Sequence, residues 1–267
     1  MVAVIFSFLI SIYSLSISSV SKSSEFRDYV KAYHAAVSAV KVALDYLKKR
    51  RDAFGFEPIS YTYRGISVSL RITDECGRLN VNKLTNQLYY NVAKRLFENL
   101  KLNPSLASSI KDWIDRDDIP TDEGVESLYY ETLGYKPSNK NMKSIYELLY
   151  VKGVDEKIFK QLEDYVTVYG DGKININSAP LEVLLALSED MDEDAAKSIL
   201  ENRPIKNLED LINLPGFSEE LFFLIRPLIT NRCNYFRIEA SASYQDSLVS
   251  LVAFTTRDKI LEWKVVQ

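Results

Sequence analysis

Seven carboxylates crowd into fifteen residues of this chain, in Asp112-Trp-Ile-Asp-Arg-Asp-Asp-Ile-Pro-Thr-Asp-Glu-Gly-Val-Glu126. Oxygen-rich clustering of that density suits a hard cation such as calcium. Asp115, Asp117, Glu123 and Glu126 fall at positions 1, 3, 9 and 12 of an EF-hand loop, but Ile119 and Pro120 stand where that loop needs a ligand and a glycine, so it is not an EF-hand. We expect a structural calcium site drawing on Asp115, Asp117, Asp122, Glu123 and Glu126. The other reading is a solvated acidic turn whose aspartates cap helices. Only Arg116 offsets the charge locally, so mutual repulsion would be relieved by a bound divalent ion.

The remaining chemistry is sparse. The one histidine, His34, sits beside the apolar stripe of an N-terminal helical segment and has no nucleophile or carboxylate at a catalytic spacing. No GxxxxGK, GxGxxG, HExxH or GxSxG motif occurs. The chain therefore reads as a non-enzyme with no small-molecule substrate. Cys76 and Cys233 lie far apart, which excludes a CxxC metal site. Two buried thiols or one disulfide remain open, and an oxidising compartment would favour the bridge.

The elements that must hold these groups follow from periodicity. Ile66, Val68, Leu70 and Ile72 alternate within the β-branched, aromatic stretch 59–73, which reads as one or two strands. Three more strands are expected at 235–244, 247–255 and 260–266, parted by short turns at Gln245-Asp246 and Arg257-Asp258-Lys259. Between the two strand groups the pattern is helical from Arg78 to about Asn231. That makes an α+β chain in which a domain-sized all-α insertion interrupts a sheet. Cys76 and Cys233 flank the insertion, which predicts that they come within disulfide range.

The insertion repeats itself. Ile145, Leu148, Val151, Gly153, Val154, Ile158, Phe159 and Leu162 recur at an offset of 63 as Leu208, Leu211, Leu214, Gly216, Phe217, Leu221, Phe222 and Ile225. Each copy reads as a helical hairpin turning at its glycine. Arg78-Leu-Asn-Val-Asn82 is echoed by Lys173-Ile-Asn-Ile-Asn177, with the asparagines placed to cap a following helix. The second copy resembles helix-hairpin-helix DNA-binding modules, which hold phosphate on hairpin backbone amides. Here, however, the hairpin 188–194 carries five acidic residues. With a formal net charge of −4, the chain has no basic face for nucleic acid.

Residues 1–20 carry no charge. Val2, Val4, Ile5, Phe6, Phe8, Leu9, Ile10, Ile12, Leu15, Ile17 and Val20 form an apolar run about long enough to cross a bilayer core. Phe26, Val30, Tyr33, Val37, Val40, Leu44 and Leu47 then recur at helical spacing, so one helix is expected to continue from lipid into a soluble domain. A secretory signal peptide is the alternative. Both place the rest of the chain outside the cytoplasm.

Taken in order, the charge-free helix, Asp74-Glu-Cys-Gly-Arg-Leu-Asn-Val-Asn82, Asp112-Trp-Ile-Asp-Arg-Asp118, Gly124-Val-Glu126 with Tyr129-Tyr130, Tyr135-Lys-Pro-Ser-Asn139, Val151-Lys-Gly153, Ile174-Asn-Ile-Asn-Ser-Ala-Pro180 and Asn234-Tyr-Phe236 resemble the K-type minor pseudopilins of bacterial type II secretion systems. The resemblance implies a pilin-like fold, a long N-terminal helix packed on an antiparallel sheet, with a large α-domain of helical hairpins inserted between strands. It divides the chain into 1–22 (transmembrane half of the helix), 23–76 (first part of the pilin-like domain), 77–232 (insertion) and 233–267 (returning strands). It implies a single-pass inner-membrane protein with a periplasmic domain at the pseudopilus tip, partnered by I- and J-type minor pseudopilins. It adds support for calcium. Stacked pilin-like subunits carry a carboxylate near their fifth residue, and the apolar run offers only Ile5 or Phe6 there, which implies a capping role. The alternative from another class is a membrane-anchored, competence-type DNA receptor.

Overall fold

The computed structural model describes the backbone of residues 2–49, 56–122 and 124–266, and side chains from residue 22 onward within those ranges. In chain order the elements are α1 (Val2–Lys49), β1 (Ile59–Tyr63), β2 (Ile66–Asp74), β3 (Leu79–Asn80), α2 (Gln87–Asn99), α3 (Leu106–Ile114), α4 (Ser127–Thr132), α5 (Glu156–Leu162), β4 (Val166–Thr167), β5 (Ile174–Asn175), α6 (Leu181–Leu185), α7 (Glu193–Glu201), α8 (Glu219–Ile225), β6 (Ile229–Thr230), β7 (Tyr235–Tyr244), β8 (Ser247–Thr256) and β9 (Ile260–Val266). They form two compact units, one of residues 1–73 with 236–267 and the other of residues 74–235.

The first unit is a five-stranded sheet in the order β1-β2-β7-β8-β9 with α1 laid on one face. The stretch 59–73 resolves into two antiparallel strands, Tyr63 opposite Ile66, because Arg64 and Gly65 both take positive φ and turn the chain. Alternation places Val68, Leu70 and Ile72 with Phe236, Ile238, Ala240, Val249, Leu251 and Ala253 in one apolar layer. The face of α1 that meets this layer differs from the stripe expected from its bulky residues. Ala32, Ala36, Ala39, Val40, Ala43 and Leu47 are buried, whereas Tyr33 and Val37 only flank the core and Phe26 is 68% exposed. Alanines let the helix backbone approach the sheet closely, so the larger side chains are displaced to its sides. Val42 and Tyr46 are exposed on the helix as well. Side chains of the expected membrane-anchor residues, Val2 to Val20, lie outside the described residues. Among the described residues no helix is long and apolar enough to cross a membrane.

The second unit is built from two copies of one motif. In the first, the amide of Leu79 donates to Tyr165 O at 2.9 Å and β3 runs parallel to β4; in the second, Ile174 donates to Leu228 O at 2.7 Å and β5 runs parallel to β6. The asparagine pairs explain why. Asn82 Nδ2 donates to Met142 O and Val168 O while its Oδ1 accepts from Met142 N. Asn177 does the same with Ile205 O, Asn231 O and Ile205 N. Met142 and Ile205, Tyr165 and Leu228, Val168 and Asn231 are all 63 positions apart, as are the 3-10 turns Ile145–Tyr150 and Leu208–Asn213. Two points correct the sequence reading. The insertion is not all helical, since it holds two parallel strand pairs. The second asparagine of each pair clamps backbone across the copy; helix α2 is capped instead by Asn86, which accepts from Leu88 N at 2.9 Å.

Hairpin glycines lock the copies. A Cβ on Gly153 would lie 2.9 Å from Leu106 Cδ2 at the start of α3, and one on Gly216 would lie 2.8 Å from the backbone nitrogen of Ala195 in α7. Both glycines have positive φ. Gly216→Ala is expected to cost about 2–4 kcal/mol, combining left-handed strain with a clash against rigid backbone. Gly134→Ala, at positive φ but with nothing within 4 Å, should cost only the strain, about 1 kcal/mol. Urea midpoints of the two variants measure the difference.

Where α7 is followed almost at once by Ile205, α3 is followed by residues 115–141 before Met142 resumes the repeat. The first copy thus carries an excursion with no counterpart in the second, and that excursion holds most of the acidic loop.

Candidate metal centre

Helix α3 ends at Ile114 and brings Asp112 inward on its last turn, where it is fully buried. Asp115 follows as the C-cap, and Glu126 precedes α4 as its N-cap. One carboxylate oxygen from each of Asp112, Asp115 and Glu126 lies within 4.8 Å of the others. The loop between them closes on itself. Asp112 accepts from Thr121 N through Oδ1 at 3.2 Å and Oδ2 at 3.0 Å, Lys111 Nζ donates to Thr121 Oγ1 at 3.0 Å, and Gly124 N donates to Thr121 O at 2.6 Å. A Cβ on Gly124 would fall 1.8 Å from Asp112 Oδ2, so the glycine is required for Glu126 to follow the turn into place.

Much of this oxygen is unsatisfied. Both carboxylate oxygens of Glu126, which is 7% exposed, and Oδ1 of Asp115 are buried without a hydrogen-bond partner. Burial, then the charges of Asp112, Asp115, Asp118 and Asp117, pushes Glu126 up to about 7. Burial and then Asp117 and Asp112 push Asp115 up to about 6, and burial raises Asp112. Three converging carboxyls that repel one another, with three of their oxygens on Asp115 and Glu126 lacking donors, fit a divalent oxygen-ligated cation, whose charge replaces the missing partners.

The expected ligands divide. Asp115 and Glu126 converge. Asp117 stands close enough for its charge to raise all three carboxyls, while its Oδ1 accepts from Ile119 N at 3.1 Å. Asp122 turns toward α2, with Tyr90 Oη 3.5 Å from its Oδ2. Glu123 lies outside the described residues. Asp112 was missed as a ligand, although its spacing of three from Asp115 at a helix end puts both on one side. Elsewhere in the excursion, Asn139 Oδ1 is buried without a hydrogen-bond partner, while its backbone N–H donates to Trp113 O at 3.0 Å.

A second chemical pair is the disulfide Cys76–Cys233, with Cα atoms 5.6 Å apart. It joins the first and last turns of residues 74–235. Beside it, Glu75 and Arg78 form a buried ion pair, and Thr167 Oγ1 donates to Glu75 Oε2 at 2.6 Å. At the helical hairpins Glu189, Asp190, Glu219 and Glu220 are exposed or half-exposed, which disfavours a phosphate ligand there. His34 is exposed on α1.

Comparison with known proteins matches residues 77–171 and 174–222 to two family profiles, both described as type II secretion system protein K. Together they span more than half of the chain. Among individual proteins, it is similar to type II secretion system protein K of Dickeya chrysanthemi, 30% identical over 169 residues that make up 57% of this chain and 47% of that protein. The Pseudomonas aeruginosa protein of the same name is 28% identical over 52% of this chain and 45% of its own length. The chain therefore spans about half the length of the curated relatives it matches. Its fold is similar to a chain in the crystal structure of the GspK-GspI-GspJ complex from enterotoxigenic Escherichia coli, with a TM-score of 0.79, 17% identity, and coverage of 92% of this chain and 99% of that one.

Proposed function

The chain belongs to the type II secretion system protein K family, and on that premise we propose that it is a minor pseudopilin, a structural component at the tip of the pseudopilus that exports folded proteins across the outer membrane. The observation that carries the reading is the duplicated α-domain inserted into a pilin-like sheet. A second unit of 162 residues, 74–235, is a large addition to a small stacking subunit, which supports a capping place for this chain over repetition along a fibre. Its partners are smaller pilin-like subunits of the I and J types. Support for such packing is the set of exposed apolar and aromatic side chains along α1, Phe26, Tyr29, Val42 and Tyr46. A pilin-like neighbour offers a helix of matching character. The charge-free segment 1–20 serves as a single inner-membrane anchor, and the remainder lies in the periplasm. We read its role as structural, not catalytic, in keeping with its family.

We further propose that Asp112, Asp115 and Glu126, with Asp117 at the rim, hold a structural calcium ion. The ion supplies positive charge to buried oxygens that have no donor, and ties the end of α3 to the start of α4. A DNA-receptor role is disfavoured by the acidic hairpins. Quantitative mass spectrometry of isolated fibres tests the capping role. One copy per fibre is expected, and repetition along the fibre would exclude it.

A further inference from the structure

Asp74 sits against the disulfide: one of its carboxylate oxygens lies within 4.8 Å of both Cys76 Sγ and Cys233 Sγ. The carboxyl is held firmly. Oδ1 accepts from Cys76 N at 2.7 Å and Oδ2 from Asn175 Nδ2 at 2.7 Å. Part of the residue reaches solvent, yet its carboxyl end is enclosed, and burial pushes it up to about 6 against the hydrogen bonds that lower it. The charged neighbours are otherwise engaged. Glu75 pairs with Arg78, and Arg78 also donates to Asp164 O and stands 3.7 Å from the Asp164 carboxylate. From β5 and the turn after it only the neutral Asn175 and Ser178 face Asp74, and Arg232, before Cys233, is exposed. The backbone of Tyr235 also meets Cys233 Sγ, its amide donating at 3.3 Å and its carbonyl oxygen 3.0 Å away.

We propose that Asp74 is the proton acceptor for closure of the Cys76–Cys233 bond, making oxidation of the inserted domain efficient below the pH at which thiols ionise unaided. A disulfide oxidant R–S–S–R first exchanges with the Cys76 thiol, giving Cys76–S–S–R and releasing R–SH. Asp74 then takes the proton of the Cys233 thiol, leaving a thiolate that accepts from the amide of Tyr235. That thiolate attacks Cys76 Sγ, forming the protein disulfide and expelling R–S⁻, which recovers the proton from Asp74 and leaves as a second R–SH. Two protein thiols lose two electrons and two protons, and the oxidant gains them. A thiol of ordinary acidity is only about one per cent ionised at pH 6.5, so a fixed base beside it has most effect there. At high pH the advantage vanishes, because the thiolate forms without help.

A purely structural Asp74, acting as the cap of the turn 75–77, would instead change the rate alike at every pH. The test takes the reduced, detergent-solubilised full chain, adds oxidised glutathione between pH 5.5 and 9.5, and follows loss of alkylatable thiols. Asp74→Asn is expected to close about tenfold more slowly than wild type at pH 6.5 and to converge with it at pH 9.5. Asn175→Ala removes a hydrogen bond that lowers Asp74 but keeps the carboxylate, so the pH-dependent advantage over Asp74→Asn should persist, shifted to higher pH. An Asp74→Asn rate equal to wild type throughout, or reduced by one constant factor across pH, would overturn the proposal. So would an Asn175→Ala profile that follows Asp74→Asn.

Discussion

Replacing both Cys76 and Cys233 by serine is expected to lower the melting temperature of the inserted domain by about 10–20 °C. The bond spans 157 positions, and in the chain-entropy model removing a loop of that size restores about 5 kcal/mol of freedom to the unfolded chain. For a domain of this size each kcal/mol corresponds to about 2–4 °C. Residues 74–235 begin and end beside the bridge, so nearly the whole unit lies inside the closed loop. Scanning calorimetry of wild type with and without reductant, beside the double serine variant, measures it. A variant that melts within about 2 °C of oxidised wild type would show that the loop is already constrained by other contacts.

Removal of the proposed calcium ion is expected to give the second large effect. At free calcium a hundredfold above its dissociation constant, a metal that binds only the folded state stabilises by about 2.7 kcal/mol, or about 5–10 °C here. Chelation should produce that loss in wild type, and an Asp115→Asn, Glu126→Gln variant should melt at one temperature with or without chelator. The pH dependence follows from the raised carboxyls. Without metal, Glu126 near 7 and Asp115 near 6 bind protons more tightly folded than unfolded. Their contribution to stability is complete below the unfolded values near 4 and is lost as pH rises through 6 to 7. The chelated protein should therefore weaken between pH 5 and 8. Calcium favours the ionised forms, so the melting difference caused by chelator should grow over the same window. A difference that shrinks as pH rises would contradict carboxylate ligation.

Much of the fold was legible because it is periodic. The strands 235–244, 247–256 and 260–266 were marked by β-branched alternation and two-to-three-residue turns. The duplication was marked by eight apolar and glycine positions at one offset, and the structure turns that offset into equivalent hydrogen bonds from Asn82 and Asn177. What was hidden depended on contacts between distant segments. The buried stripe of α1 is mostly alanine, which carries little hydrophobic signal but permits the closest approach to the sheet, so bulk misled the assignment of its face. The parallel pairs β3–β4 and β5–β6 are two residues each, too short for any alternation to register. At the acidic loop, density of carboxylates pointed to the region but could not rank its members. Asp122 was drawn away by a φ of 43° that turns it toward Tyr90, and Asp112 was drawn in by the last turn of α3.

The central claim, that this chain caps a fibre through contacts with smaller pilin-like subunits, is tested most directly by co-expressing the affinity-tagged full chain with the I- and J-type pseudopilins of its own secretion system and weighing the purified complex. A single species with one copy of each subunit is predicted, dissociating when the exposed residues Phe26 and Tyr29 of α1 are both changed to glutamate. Recovery of the chain alone, or as a homo-oligomer that excludes both partners, would contradict the account.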